Sequence, residues 1–81
     1  MWFIYILLCD DGTFYTGITN NLEKRFLDHK SGKGGRYTRS HKPIKMIYTE
    51  KLSNQSKALK REFEIKSWSR AKKIKTLKLV F

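Results

Sequence analysis

The chain has 81 residues, of which 40% are hydrophobic and 14% aromatic. This length predicts one domain spanning residues 1–81, since most domains contain about 50–250 residues, and the apolar content is too high for a disordered tail. Lys and Arg together number 18, against 7 Asp and Glu, which gives a net charge of +11. Such an excess predicts a polyanionic partner, which is either nucleic acid or an acidic membrane surface.

The positive charge is distributed unevenly along the chain. Residues 1–19 contain no Lys or Arg, whereas basic residues occur from Lys24 to Lys78. The first segment is therefore expected to form scaffold or the wall of a site, and the rest carries the positive field. A single cysteine, Cys9, cannot form an internal disulfide, so we expect a cytoplasmic protein with Cys9 in its core. The apolar run Trp2–Cys9 is too short for a signal peptide or a membrane span.

Two segments at the N-terminus predict a β-hairpin. Trp2–Cys9 is apolar, Thr13–Thr19 is rich in aromatic and β-branched residues, and the tripeptide Asp-Asp-Gly lies between them, as in a strand, turn and strand. A three-residue loop, with its glycine in the left-handed region, would place Cys9 opposite Thr13. A two-residue Asp-Gly turn would shift the register by one residue. We favour the three-residue loop, because Asp starts turns and Gly takes a positive φ without strain.

The loop determines where the tyrosines of the hairpin point. With the three-residue loop, Tyr5 faces Gly17 and Leu7 faces Tyr15. Both phenol groups then lie on one face of the sheet, with a side-chain gap at Gly17. The two-residue turn would place the two tyrosines on opposite faces, because side chains alternate along a strand. Taken alone, both tyrosines are also compatible with ordinary strand residues.

The next segment predicts a helix that presents two basic side chains to the sheet. Asn21 is a good N-cap, and Leu22–Lys30 has helical periodicity. At about 100° per residue, Arg25 and His29 lie one turn apart beside the apolar stripe. The alternative is that Arg25 only covers apolar surface with its stem and that His29 is a polar neighbour.

A basic, glycine-rich loop, Ser31–Gly35, ends this helix and matches no phosphate-binding loop motif. Arg36–Lys42 follows and is dense in cations and hydrogen-bond donors. It is expected either to contact phosphate or to form a solvated loop. Pro43 ends this segment, and the alternation in Ile44–Lys51 predicts a third strand that returns antiparallel.

Ser53–Ser56 opens the next predicted helix, which runs from Lys57 to about Lys66. Its apolar face contains Glu62, whereas Glu64 points to solvent. A carboxylate aimed at a core needs a cation, a donor or a metal. Lys66, four residues later, supplies a cation in the structural alternative.

The segment 67–81 predicts a short helix that closes the core. Ala71, Ile74 and Leu77 are spaced three residues apart on its apolar side. This segment is the chain's one candidate for an amphipathic membrane helix, so a membrane surface is the weaker of the two partner classes. Its basic residues are expected on the outer surface, namely Arg70, Lys72, Lys73, Lys75 and Lys78.

The hairpin resembles that of the GIY-YIG nuclease superfamily, in its small, standalone, single-domain bacterial type. Ile4-Tyr5 matches the end of the first motif, with Phe3 where the name has Gly. Tyr15-Thr16-Gly17 matches the second motif, with Thr16 in place of Ile. The two intervals, Tyr5 to Tyr15 and Tyr15 to Arg25, are each 10 residues, as in the family.

Later segments extend the resemblance over nearly the whole chain. Leu22–His29 matches the helix that carries the family's Arg and its frequent His. Arg36-Tyr37-Thr38, followed by Pro43, matches the segment before the third strand. Ala58–Lys66 matches the helix with the metal-binding Glu, which falls on Glu62. Larger family members carry an Asn after this Glu, and no Asn follows Glu62 here.

The resemblance implies an α+β fold with a three-stranded antiparallel sheet flanked by helices. It implies hydrolysis of phosphodiester bonds, with Glu62 holding one Mg²⁺ or Mn²⁺ ion that polarises the scissile phosphate. Arg25 would neutralise charge developing on the transferred oxygens. Tyr5 and His29 are the candidates for activating water, and Tyr15 would orient water or a phosphate oxygen.

The substrate implied by the resemblance is DNA. Gly17 would leave room for the substrate backbone, and the phosphate-contact candidates are Arg36, Tyr37, Thr38 and Arg39. A lone basic module contacts phosphates with little base readout, so branched or flapped DNA in repair or recombination fits best. The alternative is a non-catalytic nucleic-acid-binding module on the same scaffold that acts with a partner protein. The presence of the family's key residues favours the enzyme.

Overall fold

The computed structural model describes residues 1–81. A two-stranded hairpin is followed by two helices, a third strand and two more helices: β1 Trp2–Cys9, β2 Phe14–Thr19, α1 Leu22–Lys30, α2 Arg36–Ser40, β3 Pro43–Leu52, α3 Gln55–Lys66 and α4 Arg70–Leu77. All strand pairs are antiparallel, and the order across the sheet is β2-β1-β3. The predicted α+β class with a three-stranded antiparallel sheet is confirmed. The helices are too short and too polar for any of them to cross a lipid bilayer.

The three-residue loop predicted for the hairpin is present. The Cys9 N–H donates to the Thr13 carbonyl at 2.9 Å, the Gly12 N–H donates to the Cys9 carbonyl at 2.9 Å, and Gly12 has a φ of +83°. Tyr5 therefore lies opposite Gly17 and Leu7 opposite Tyr15. This register places both tyrosines on the same face of the sheet, as predicted.

The sheet has two different faces. On one, which we call the apolar face, Ile4 and Ile6 of β1 pack with Ile65 of α3 and with Leu79, which follows α4. On the other, which we call the tyrosine face, Tyr5 contacts α1. Helices α1 and α3 thus cover opposite faces of the sheet, and β2 and β3 form its two edges.

Polar caps determine where the helices begin. The side chains of Asn21, Asn54 and Ser69 accept hydrogen bonds from the third residue of α1, α3 and α4, respectively, and each satisfies a donor that the helix leaves free. Helix α1 has the predicted bounds, and α3 begins two residues before the predicted Lys57. Cys9 is fully buried, as predicted.

The later segments differ from the sequence interpretation in two places. Residues 36–40, for which no helix was predicted, form helix α2; no side chain caps this helix, so its sequence lacks the usual start signal. In α4, Ala71 is exposed rather than packed in the core. Lys78 adopts a left-handed conformation with a φ of 53°, and this turn directs Leu79 into the core instead.

Candidate active site

Tyr5 is the centre of a buried polar cluster on the tyrosine face. The side chain is 1% exposed, and its hydroxyl lies 2.8 Å from Nε2 of His29. Nε of Arg25 donates to the same hydroxyl at 3.4 Å. Since Arg25 can only donate, the phenol oxygen accepts from Arg25 and its proton is free to bond Nε2 of His29.

His29 continues this chain of hydrogen bonds away from the sheet. Its Nδ1 lies 2.6 Å from the hydroxyl of Thr38 in α2. If Nε2 accepts from Tyr5, then Nδ1 carries the proton and donates to Thr38. Thr38 is 2% exposed, which does not favour the predicted contact with substrate phosphate. It is instead the group that orients His29.

Burial sets the protonation state of both ring systems. It raises the pKa of Tyr5 to about 12, and the charges of Tyr15 and Glu62 act in the same direction against the donor Arg25. Burial, with the positive charge of Arg25, lowers the pKa of His29 to about 4. Both groups are therefore neutral at pH 7, and the shared proton resides on the phenol oxygen.

Gly17 makes room for Tyr5 rather than for substrate. A Cβ atom at position 17 would lie 2.4 Å from the Tyr5 hydroxyl oxygen and 2.6 Å from the ring carbon that bears it. Real Cβ atoms do not approach other atoms this closely. The predicted gap at Gly17 is therefore present, but the phenol of Tyr5 fills it. The gap is therefore not open to a DNA backbone in this structure.

Gly34 is a site residue that the sequence interpretation missed. A Cβ atom here would lie 2.2 Å from Nδ1 of His29, and the Gly34 carbonyl accepts from Nη2 of Arg25 at 2.9 Å. The glycine-rich loop is therefore part of the cluster. The pair of adjacent glycines before Arg36 was the available signal, but only the tertiary contact distinguishes it from a flexible linker.

A row of aromatic rings leads from Tyr5 towards α2. Tyr15 lies 5.0 Å from His29 and 5.5 Å from Tyr37, measured between ring centroids. Tyr37 in turn lies 4.3 Å from His41, centroid to centroid. The Nδ1 atom of His41 is 2.8 Å from a carboxylate oxygen of Asp11 in the hairpin loop. This contact, which joins residues far apart in the chain, was not predicted.

The other residues predicted to contact phosphate differ in their exposure to solvent. Arg36 and Arg39 are exposed on α2 and free to meet an anion, whereas Tyr37 is half-buried against Tyr15. The α2 helix therefore presents two cations outward and turns Tyr37 and Thr38 inward.

Glu62 reaches this region from α3, on the opposite side of the sheet. Its side chain is 19% exposed, and a carboxylate oxygen lies 3.4 Å from Nζ of Lys66. That ammonium group lies 6.0 Å from the centre of the Tyr15 ring, which places the pair at the β2 edge beside the tyrosines. Glu62 thus lies at the border of the core rather than inside it, contrary to the prediction. Glu64 is 56% exposed and bonds Arg61, in agreement with its predicted solvent orientation.

The donor set at this edge fits a hard cation held by one carboxylate. No group of three or more His, Cys, Asp and Glu side chains gathers anywhere in the structure, which does not suit Zn²⁺ or a Ca²⁺ cage. Mg²⁺ retains several waters and is commonly bound by one or two carboxylates together with substrate phosphates. Glu62 alone, partly exposed and paired only with the half-exposed Lys66, is compatible with that mode.

The fold and this cluster describe a small α+β protein with a polar site at an open sheet edge. A family model described as the GIY-YIG catalytic domain matches residues 1–75, and the chain belongs to that family. Domains of this family are generally nucleases, and GIY-YIG nucleases generally use a divalent metal. A nucleic acid is accordingly the class of substrate that membership indicates.

Similar proteins carry the family name UPF0213. The chain is 45% identical to such a protein of Staphylococcus saprophyticus, over 93% of this chain and 92% of the relative. It is 48% identical to one of Natronomonas pharaonis, over 88% of this chain and 84% of the relative. The solution NMR structure of UPF0213 protein BH0048 from Bacillus halodurans superposes with a TM-score of 0.61 at 38% identity, covering 96% of this chain and 84% of that one. These names state no substrate.

Proposed function

We propose that this protein is a divalent-metal-dependent endonuclease that hydrolyses phosphodiester bonds in DNA. The observation that carries the proposal is the hydrogen-bonded cluster of Tyr5, Arg25 and His29, together with a carboxylate, Glu62, near enough to raise the pKa of Tyr5. These side chains come from β1, α1 and α3, which lie on different layers of the fold. The active unit is proposed to be the domain formed by residues 1–81.

Tyr5 and His29 together can take a proton from the attacking water. A phenol with a pKa of about 12 is too weak an acid to be ionised at pH 7. It can nevertheless accept the water proton while it passes its own proton to Nε2 of His29, which is neutral and 2.8 Å away. The O–H bond of the water breaks as its oxygen attacks phosphorus, the proton passes by way of Tyr5 to Nε2 of His29, and Tyr5 stays neutral throughout. Thr38 holds His29 in the required orientation.

Arg25 has unused N–H donors that can bind a phosphate group. It uses two of its five N–H groups, one on Tyr5 and one on Gly34. The remaining donors can bind the non-bridging oxygens, where negative charge grows in the transition state. The contact with Tyr5 is long, at 3.4 Å. A shift of Arg25 towards phosphate would also open the almost fully buried phenol oxygen to water.

Glu62 is the residue proposed to hold the cation. When bound, Mg²⁺ or Mn²⁺ would act as a Lewis acid on the phosphate and stabilise the leaving oxygen. Lys66, which pairs with Glu62 at 3.4 Å, would give up this contact. Tyr15, which lies beside both Lys66 and His29, is proposed to orient water or a phosphate oxygen.

The shape of the region suits a polymer rather than a small molecule. Two concave depressions exist on the surface, one lined by Thr13, Phe14, Arg70 and Lys73 and the other by Asn21, Glu23, Lys24 and Leu27. None of the four convergent residues lines either of them. With a net charge of +11, the protein is expected to bind the DNA backbone with a steep salt dependence. Branched or flapped DNA in cytoplasmic repair or recombination is the proposed substrate context.

A non-catalytic nucleic-acid-binding module, acting with a partner protein, is the second candidate. The ion pair between Glu62 and Lys66 favours it, because Lys66 supplies the structural partner that Glu62 would need without a metal. Both candidate functions predict binding of nucleic acid, and only the endonuclease predicts cleavage.

The deciding experiment compares Glu62→Gln with Glu64→Gln. Both residues lie on α3 and both changes remove one negative charge, but only Glu62 faces the site. With duplex, single-stranded, flap and four-way-junction DNA in Mg²⁺ or Mn²⁺, we expect Glu62→Gln to lose at least about 100-fold in cleavage rate. Glu64→Gln should retain the parental rate, and EDTA should abolish it. Cleavage that survives EDTA would rule out the metal mechanism, and binding without cleavage on every DNA would favour the second candidate.

A further inference from the structure

A concave depression lies beyond the candidate active site, where β2 begins beside α4. It has a volume of about 220 Å³ and is lined by Thr13, Phe14, Arg70 and Lys73. We call it the α4 depression. Two of its four side chains are cations and none is an acid, so its chemistry suits an anion.

Arg70 is fixed in place before any ligand arrives. Its guanidinium lies 4.0 Å from the centre of the Phe14 ring and 5.7 Å from that of Phe81. It also donates to the carbonyl of Gly12 in the hairpin loop. These contacts use one N–H group and leave the others for a ligand. A guanidinium held by stacking loses little further freedom when it binds an oxyanion.

Lys73 is a cation without a carboxylate partner. The ion pairs of the protein involve Asp11, Glu50, Glu62 and Glu64, and none of them includes Lys73. Its side chain is half-buried. Burial lowers its pKa, and the nearby charge of Lys66 adds to the effect. A bound anion would supply the negative charge that neither Lys73 nor Arg70 finds in a carboxylate of the protein.

Lys66 is close to both the candidate site and the depression. That residue lies beside both Glu62 and Tyr15 on one side and interacts with Lys73 on the other. Along β2, Tyr15 and Thr13 are two residues apart, a distance of about 7 Å at the usual rise of a strand. A nucleic-acid strand that passes the site would therefore bring a neighbouring phosphate to the depression.

We propose that the α4 depression binds a phosphate group of the same nucleic-acid strand whose scissile phosphate lies at Arg25 and Glu62, with Arg70 and Lys73 as its ligands. The part of this inference that places both phosphates on one strand rests on the proposed function. The bound strand then crosses the β2 edge, from Arg36 and Arg39 of α2, whose Tyr37 packs on Tyr15, to Arg70 of α4, which stacks on Phe14. Free or terminal phosphate offers the same oxyanion chemistry and is the alternative source.

The test compares Lys73→Gln with Lys75→Gln. Both changes remove one positive charge from α4, but Lys75 is exposed and lies outside the depression. Affinity for short fluorescein-labelled DNA, single-stranded and duplex, is measured in EDTA over a range of salt concentrations, so that cleavage plays no part. We expect Lys73→Gln to weaken binding about 3–10-fold and to reduce the salt slope by about 0.7–0.9. Lys75→Gln should change the affinity less than about twofold.

A further variant and a second ligand complete the design. Lys73→Arg retains the charge and should restore the affinity, while equal thermal midpoints show that all variants fold. Equal losses for Lys73→Gln and Lys75→Gln would overturn the proposal. Inorganic phosphate, followed by the amide shifts of Arg70 and Lys73, tests the other source. If phosphate saturates the depression without weakening DNA binding, the ligand is free phosphate and the same-strand assignment is wrong.

The outcomes separate this inference from the proposed function. A selective loss of binding in Lys73→Gln without cleavage by the parental protein would support the depression and reject the nuclease. Cleavage by the parental protein, combined with equal DNA affinities of Lys73→Gln and Lys75→Gln, would support the nuclease and reject the depression.

Discussion

The two faces of strand β1 bury side chains of opposite character. Ile4 and Ile6 contact apolar groups on one face, whereas Tyr5, between them in the sequence, joins a hydrogen-bonded chain through His29 to Thr38 on the other. Burial on the apolar face stabilises the fold through area removed from water. The tyrosine face gains less, because each of its polar groups must find a partner to offset its loss of water.

The comparison indicates that the two faces of β1 have different roles. The apolar face stabilises the fold, and the tyrosine face carries the candidate chemistry. Substitutions on the apolar face should reduce stability and leave the chemistry of folded molecules intact. Substitutions on the tyrosine face should mainly reduce the rate of cleavage. The four predictions that follow test this division from the largest expected effect to the smallest.

Removing the Tyr5 hydroxyl should eliminate most of the cleavage activity. In Tyr5→Phe, no phenol oxygen remains to receive the proton of the water, and we expect a loss of about 10²–10⁴-fold in rate. The free energy of unfolding should fall by only about 1–2 kcal/mol, because Arg25 and His29 each lose one hydrogen bond. Tyr48→Phe is the matched control, since it removes a hydroxyl that bonds Glu50 on β3. A parental cleavage rate in Tyr5→Phe would exclude Tyr5 from the chemistry.

Truncating a core residue on the apolar face should have the opposite profile. Ile65 is fully buried against Ile4 and Ile6, so Ile65→Ala should cost about 2–5 kcal/mol of stability in chemical denaturation. Cleavage per folded molecule should remain close to parental at low temperature. The control is Ile44→Ala, at a position that is 51% exposed, and it should change stability by less than about 0.5 kcal/mol. If Ile65→Ala impairs cleavage while still folded, the two faces are coupled.

His29 should make stability depend on pH in the acid range. Its pKa is about 4 in the folded protein against 6.5 for an unperturbed histidine, so between these values the unfolded chain binds more protons. The stabilisation that neutral His29 provides is fully present above about pH 6.5. As the pH falls from 6.5 through 4, the free energy of unfolding decreases by roughly 3 kcal/mol in total. Denaturation midpoints of the parental protein and His29→Gln at pH 7 and 4.5 measure the difference. Carboxylates titrate alike in both proteins, so a parallel pH dependence would contradict the prediction.

The smallest effect concerns a polar group on the apolar face. Thr16 is 3% exposed, and its hydroxyl is the one buried side-chain polar atom without a hydrogen-bond partner. It lies opposite Ile6 in the register. Thr16→Val keeps the shape and removes the unpaired hydroxyl, so stability should rise by about 1 kcal/mol. A thermal or chemical melt would show this, and Thr49→Val on the exposed side of β3 serves as control. A loss of stability would mean that the Thr16 hydroxyl has a partner in solution.

Local signals in the sequence predicted much of the fold. The tripeptide before Thr13 determined the hairpin loop and with it the placement of Tyr5 and Tyr15. Asn21 predicted the start of α1, and helical spacing placed Arg25 and His29 on the side that meets the sheet. These features depend on neighbours within a few residues, which is why a sequence pattern contains them.

The parts that were missed depend on contacts between distant segments. Helix α2 has no side-chain cap, and Thr38 is buried because it bonds His29 nine residues earlier. Gly34 matters only because Arg25 and His29 occupy the space around it. The roles of Arg25, Glu62 and the cation came from family resemblance, since no periodicity distinguishes a catalytic carboxylate from one paired with Lys66.

The close fit between Tyr5 and Gly17 has a consequence for how the phenol is held. The hydroxyl lies where a side chain on the neighbouring strand would begin, so β2 itself restricts rotation of the ring. A tyrosine on an open surface would lose this freedom only on meeting its substrate, whereas here the loss occurs during folding. The barrier to reaction therefore contains no contribution from ordering the phenol. The backbone of β2 holds the Tyr5 ring in position, where other proteins would use additional side chains.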